Sequence, residues 1–128
     1  MPRLSARRAA SLIGAGRIAL GVAVLAAPER ITARWLGAEN AAHPAVVDLA
    51  RGLAARDIAI GFAVLQTLDD PRVGPRLQVA GAIADGADVL GTILAREHLP
   101  RKGVLGTVAL AGATAVAGLY LGHRLAHL

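Results

Sequence analysis

A chain of 128 residues has the length of one domain. It is 55% hydrophobic, 18% charged and 2% aromatic, and it has no cysteine. That composition excludes intrinsic disorder, disulfide scaffolds and thiolate metal sites. Its formal net charge of +5 is carried largely at the chain start (Arg3, Arg7, Arg8) and between apolar stretches (Arg30, Arg34, Arg96, Arg101, Lys102). Membrane proteins keep their basic residues there, and with almost no rings to stack on bases, nucleic acid is not an expected partner.

The first apolar segment covers 10–27. Its basic start and apolar run have the look of a secretory signal, but Arg17 in the middle argues for a retained first helix. Ala10, Gly14, Arg17 and Gly21 form a close-packing strip along it. Pro28 ends this segment. The connection 28–44 then opens with Pro28–Leu36, where Ile31 and Trp35 share one face and Arg30 and Arg34 another. This predicts a short interfacial helix with Trp35 as its headgroup anchor.

The second segment, 45–68, carries Asp48, Arg51, Arg56 and Asp57 and stops at Asp69-Asp70-Pro71. The third, 76–95, follows Gly74-Pro75. The fourth, 103–122, holds no charge at all and ends near Tyr120, a second candidate anchor. A run of that length can cross a hydrocarbon core of about 30 Å. Short connections make successive helices antiparallel neighbours. The expected fold is all-α: one domain over 1–128, a four-helix transmembrane bundle running up-down-up-down.

In the third segment Gln78, Gly81, Asp85, Asp88 and Thr92 recur every three or four residues. They fall within about 80° of one another on a helix. A single polar stripe on an apolar helix turns inward when the solvent is lipid, and its carboxylates then need counterions. Candidates are Arg17 in the first segment and Arg51 and Arg56 in the second. Asp48 can pair with Arg51 three residues on. Arg56 and Asp57 point about 100° apart and serve different neighbours. The expected site is a nearly neutral buried network of Arg17, Asp48, Arg51, Arg56, Asp57, Asp85 and Asp88.

On the fourth segment Thr107, Ala111, Thr114 and Gly118 form a small, weakly polar stripe, and Gly118–Gly122 is a GxxxG pair. Ile18–Leu25 matches Ile58–Leu65 at an offset of 40 residues, a similarity that Ala/Val/Leu/Gly-rich segments also give by chance. His123 and His127 are four apart, but nothing completes a metal set. No nucleophile–base pair and no phosphate loop stands out. The expectation is a protein that is not an enzyme and holds no metal or cofactor. The network would shape an intramembrane polar pocket or a partner-binding face. The alternative is a small proton-coupled transporter or channel working as a homo-oligomer. The expected surroundings are the lipid bilayer of the plasma membrane, with both termini cytoplasmic and a membrane partner or second copy alongside.

The pattern Arg17…Gly21…Pro28, Arg51-Gly-Leu-Ala-Ala-Arg56-Asp57…Gly61 and Asp85…Asp88 resembles a group of small four-helix membrane proteins of actinobacterial type, a family labelled as a domain of unknown function. The resemblance covers nearly the whole chain. It implies an uncharacterised integral membrane protein and brings no activity with it. Small multidrug-resistance transporters are similar in size alone, because the acid of their first helix is missing here, and DoxX-like membrane proteins are similar in size and helix count.

Overall fold

The structure, a computed structural model, describes residues 2–127. They form four long helices, α1 (Pro2–Ala26), α4 (Pro44–Gln66), α5 (Val73–Leu94) and α6 (Arg101–Ala126), and two short ones, α2 (Pro28–Leu36) and α3 (Ala38–Ala41). A 3₁₀ turn, Arg96–His98, joins α5 to α6. Each long helix overruns its expected segment at the N-terminal end. The prediction counted apolar residues, whereas a helix continues through the arginines and the Gly-Pro pair of its first turns.

The helix starts follow ordinary chemistry. Pro28 and Pro44 sit in first turns, where a missing N–H costs nothing. The His43 Nδ1 accepts from the Ala45 amide at 3.3 Å and caps α4. Before α5, the amides of Arg72 and Val73 donate to the Asp70 carboxylate at 2.8 and 3.0 Å. The Val73 and Arg72 bonds hold that exposed carboxyl below its usual range. Gly37 divides α2 from α3 at φ +86°, a left-handed conformation that side chains rarely adopt. The connection 28–44 therefore holds the expected short helix, α2, followed by a second one, α3.

The long helices form two antiparallel pairs, α1 with α4 and α5 with α6. In the first pair, a Cβ on Gly61 would stand 2.9 Å from Ile18, and one on Gly21 would stand 2.6 Å from Ile58. Gly14 lies against the Gly61 carbonyl, and Gly21 lies against that of Ala54. These contacts are reciprocal at the 40-residue offset of the sequence match. The repeated segments thus face one another about a local two-fold axis, with Arg17 and Asp57 at equivalent positions across it. In the second pair, Gly118 and Gly122 bring α6 onto Gln78, Ala82 and Pro75 of α5. This is the close approach that small residues allow between membrane helices. The Thr114 hydroxyl does not bond across; it donates back to the Leu110 and Ala111 carbonyls.

Arg7 reaches the Leu68 carbonyl and pairs with Asp69, and Leu125 packs against a small cluster built on Ala6, Ala10 and Leu121. The start of α1, the turn after α4 and the end of α6 therefore share one end of the molecule. At the other end Asn40 Nδ2 donates to the His98 carbonyl at 3.1 Å.

The interior is small and polar. Among the described residues the buried apolar side chains are six alanines plus Val64, Pro75 and Leu121, and they share the interior with Thr32, Gln78, Asp85 and Thr92. Leu12, Leu20, Phe62, Ile83, Leu90, Leu110 and Val116 face outward. Water as the solvent would drive the opposite arrangement. Among the described residues, three helices are long and apolar enough to cross a membrane: Leu4–Ala26, Val73–Leu94 and Arg101–Ala126. Within them, 18-residue stretches reach mean hydropathies of 1.8, 1.3 and 1.8. Of the four expected spans, the second falls short on this measure, because α4 carries Asp48, Arg51, Arg56 and Asp57.

Candidate functional site

The two helix pairs meet across a set of ionised side chains. Arg17 extends from the middle of α1. It donates to the Asp57 carboxylate of α4 at 3.3 Å and to the Gly81 carbonyl of α5 at 3.0 Å, and it pairs with Asp85. One guanidinium thus holds three helices, using the spread of donors that distinguishes arginine from lysine. Gly81 is what admits it, since a Cβ there would stand 3.0 Å from an Arg17 nitrogen. Close by, Arg56 grips both oxygens of Asp88, at 3.2 and 2.8 Å, and reaches Asp57 at 3.3 Å. Asp57 joins the two guanidiniums.

Two guanidiniums meet three carboxylates, so the site holds an excess of acid. It is also unevenly covered. The side chains of Arg17 and Asp85 are 10% and 8% exposed, against 29% and 22% for Arg56 and Asp88. The Arg56 Nε is enclosed without a hydrogen-bond partner. The network is sealed toward α1 and open along the flank where α4 meets α5.

Of the seven expected site residues, the structure brings together Arg17, Arg56, Asp57, Asp85 and Asp88. It does not bring in Asp48 and Arg51. Both are exposed on α4, away from the other five, and the expected bond between them is not formed. Spacing permits that pair, but nothing packs against the two side chains to hold them in it. Arg56 and Asp57 do divide between Asp88 and Arg17 as their angles require, but they also touch each other.

The polar stripe of α5 is inward throughout: Gln78, Gly81, Asp85 and Thr92 are buried, and Asp88 is half-buried. Thr92 is fully buried and accepts a hydrogen bond at 3.0 Å from the indole Nε1 of Trp35. Trp35, expected as a headgroup anchor, is half-buried and has this tertiary partner as well. The one tryptophan ties α2 to α5, because a buried hydroxyl and an indole N–H each need a partner. Periodicity marked Thr92 as inward, but no local signal links it to a residue 57 positions away.

Tyr120 is exposed as expected, with the Arg124 guanidinium 6.0 Å from its ring centre. The rings of His123 and His127 lie 4.5 Å apart, and no group of three or more metal-binding side chains gathers among the described residues. A cavity of about 180 Å³ opens at the end that holds both helix termini, lined by Arg7, Leu68, Asp69, Pro75 and neighbours. It lies away from the charged network. Set against protein-family models, characterised proteins and solved structures, the chain matches none.

Proposed function

We propose that this protein is a multi-pass membrane protein without catalytic machinery, in which all four long helices cross the bilayer as an up-down-up-down bundle. The Arg17-centred network joins the two helix pairs, and its open α4–α5 flank binds a membrane partner. Both termini lie on the cytoplasmic side of the plasma membrane, where Arg3, Arg7, Arg8, Arg72, Arg76 and Arg124 give a slight excess of basic residues.

The observation that carries this reading is the inverted distribution of side chains. A guanidinium and carboxylates occupy the middle, and leucines, valines and isoleucines occupy the perimeter. In lipid the perimeter costs nothing, while the charges must pair inside. The same logic supports a partner for the flank, because Arg56 and Asp88 are incompletely covered by their own chain.

Carbonate washing and two-sided labelling test the reading. The protein stays with the membrane through alkaline carbonate. Single cysteines replacing Glu39 and Asp69, one beyond each end of α4, react with an impermeant maleimide from opposite sides of a sealed vesicle. Release by carbonate, or labelling of both positions from one side, contradicts it.

The excess of acid favours a second reading, in which one carboxylate carries a proton and the network relays it. Proton flux across vesicles reconstituted with the protein separates the two.

A further inference from the structure

The outward face of α4 differs from those of the other long helices. On α1, α5 and α6, the exposed charges among the described residues are all basic: Arg8, Arg76, Arg101, Lys102 and Arg124; α4 exposes both signs. On α4, Arg51 is exposed about 10 Å along the helix from Pro44, with Asp48 one turn before it. Neither has an ion-pair partner among the described residues. Around them Gly52, Ala55, Ala59 and Phe62 are exposed and lie within about 80° of one another. Nothing approaches the Cβ position of Gly52 within 4 Å.

We infer that this face is the contact of a two-fold homodimer, in which Asp48 pairs with Arg51 of the partner subunit. The inference rests on the proposed bilayer setting of α4 and adds a contact on its outward face, apart from the Arg56–Asp88 flank.

Two copies inserted in the same direction relate by a two-fold axis along the membrane normal, so one patch meets itself. Such a patch must be self-complementary. Asp48 and Arg51 are three residues apart, about 60° around the helix and about 4.5 Å along it. Asp48 lies in line with the stripe and Arg51 at its edge. The two-fold brings Asp48 of each subunit beside Arg51 of the other, forming two pairs from charges that have no counterion among the described residues of the single chain. Gly52, Ala55 and Ala59 continue the stripe beyond Asp48 and let the backbones approach closely. Phe62, near the other end of α4, fills the contact where no charge is needed. A pair excluded from water is little screened, so both pairs bear on affinity as well as orientation.

Energy transfer between labelled copies in phosphatidylcholine/phosphatidylglycerol vesicles tests this, with dyes on a single cysteine replacing Glu97. The unsubstituted protein transfers energy, and the signal falls as lipid dilutes it. Asp48→Arg puts four positive charges at the contact and Arg51→Asp four negative ones. Each variant alone associates at least about tenfold more weakly. Mixed together, the two variants pair Arg against Asp at both places and recover the original transfer, as does the double swap. Stepwise photobleaching of the unsubstituted protein gives two subunits and does not depend on how any variant folds. A single bleaching step, undiminished association of either single variant, or a mixture no better than its components overturns the dimer. If the monomer still resists carbonate, the membrane reading stands without it; if carbonate extracts the chain, the membrane reading itself fails.

Discussion

Replacing Arg17 by methionine is expected to destabilise the protein by about 3–5 kcal/mol, the usual consequence of removing one partner of a buried ion pair. Methionine keeps the length and packing of the stem, so the loss is that of the guanidinium. Asp57 retains Arg56 at 3.3 Å, but Asp85 loses the one cation that reaches it among the described residues, and the Gly81 carbonyl loses its extra donor. Asp85 is the most deeply buried of the three carboxylates, with an 8% exposed side chain. It must then ionise alone or take up a proton, and both are costly there. Unfolding in mixed micelles of mild and denaturing detergent measures the change. The double variant Arg17→Met/Asp85→Leu recovers most of the loss, because removing both charges leaves neither one stranded. A loss below about 1 kcal/mol in the single variant fits only a solvated network, since exposed ion pairs contribute that little.

The second large effect is expected at Arg56. Arg56→Leu takes both hydrogen bonds from Asp88, which has no other cation in reach among the described residues, and one from Asp57. The expected cost is about 2 kcal/mol, below that for Arg17 because this pair is less covered. Two details sharpen the comparison. The Arg56 Nε makes no hydrogen bond, so the substitution removes one unmet donor along with the useful ones. Arg56 also joins α4 to α5, where the two helix pairs otherwise touch little, so its loss loosens the pairs from each other more than it loosens either one. Arg56→Leu/Asp88→Leu should return to near the original stability in the same unfolding assay. Failure of that rescue, with full rescue at Arg17, would give the flank a role beyond pairing.

What could be read in advance follows from the range of each interaction. The inward stripe of α5 was legible because Gln78, Gly81, Asp85, Asp88 and Thr92 differ sharply from the residues around them, and helical geometry alone places them on one side. The same arithmetic separated Arg56 from Asp57. It could not show that Arg17 would take the carbonyl of Gly81, since a glycine marks an opening without naming what enters it. Asp48 and Arg51 were misplaced for a related reason. An i,i+3 spacing allows a pair, but only tertiary packing decides which side of α4 faces its neighbours. Trp35 carried the composition of an interfacial anchor, and its bond to Thr92 depends on a fold that returns α5 beside α2. The 40-residue repeat was visible as a match of letters. Its meaning, two similar surfaces closing on each other, required the antiparallel pairing of α1 with α4.

The account depends on hydrocarbon as the medium around α1, α5 and α6, and since the chain has no cysteine of its own, single thiols can probe that medium directly. Cysteines replacing Leu12, Ile83 and Leu110, outward residues near the helix middles, are to be exposed to a charged maleimide in lipid nanodiscs, which leave both membrane faces open. The account predicts no reaction at these three positions while cysteines replacing Asp69 and Glu97 label readily, because thiolate does not form and the reagent does not enter where water is absent. Labelling at the Leu12, Ile83 and Leu110 positions as fast as at those two would place the helices in water and contradict it.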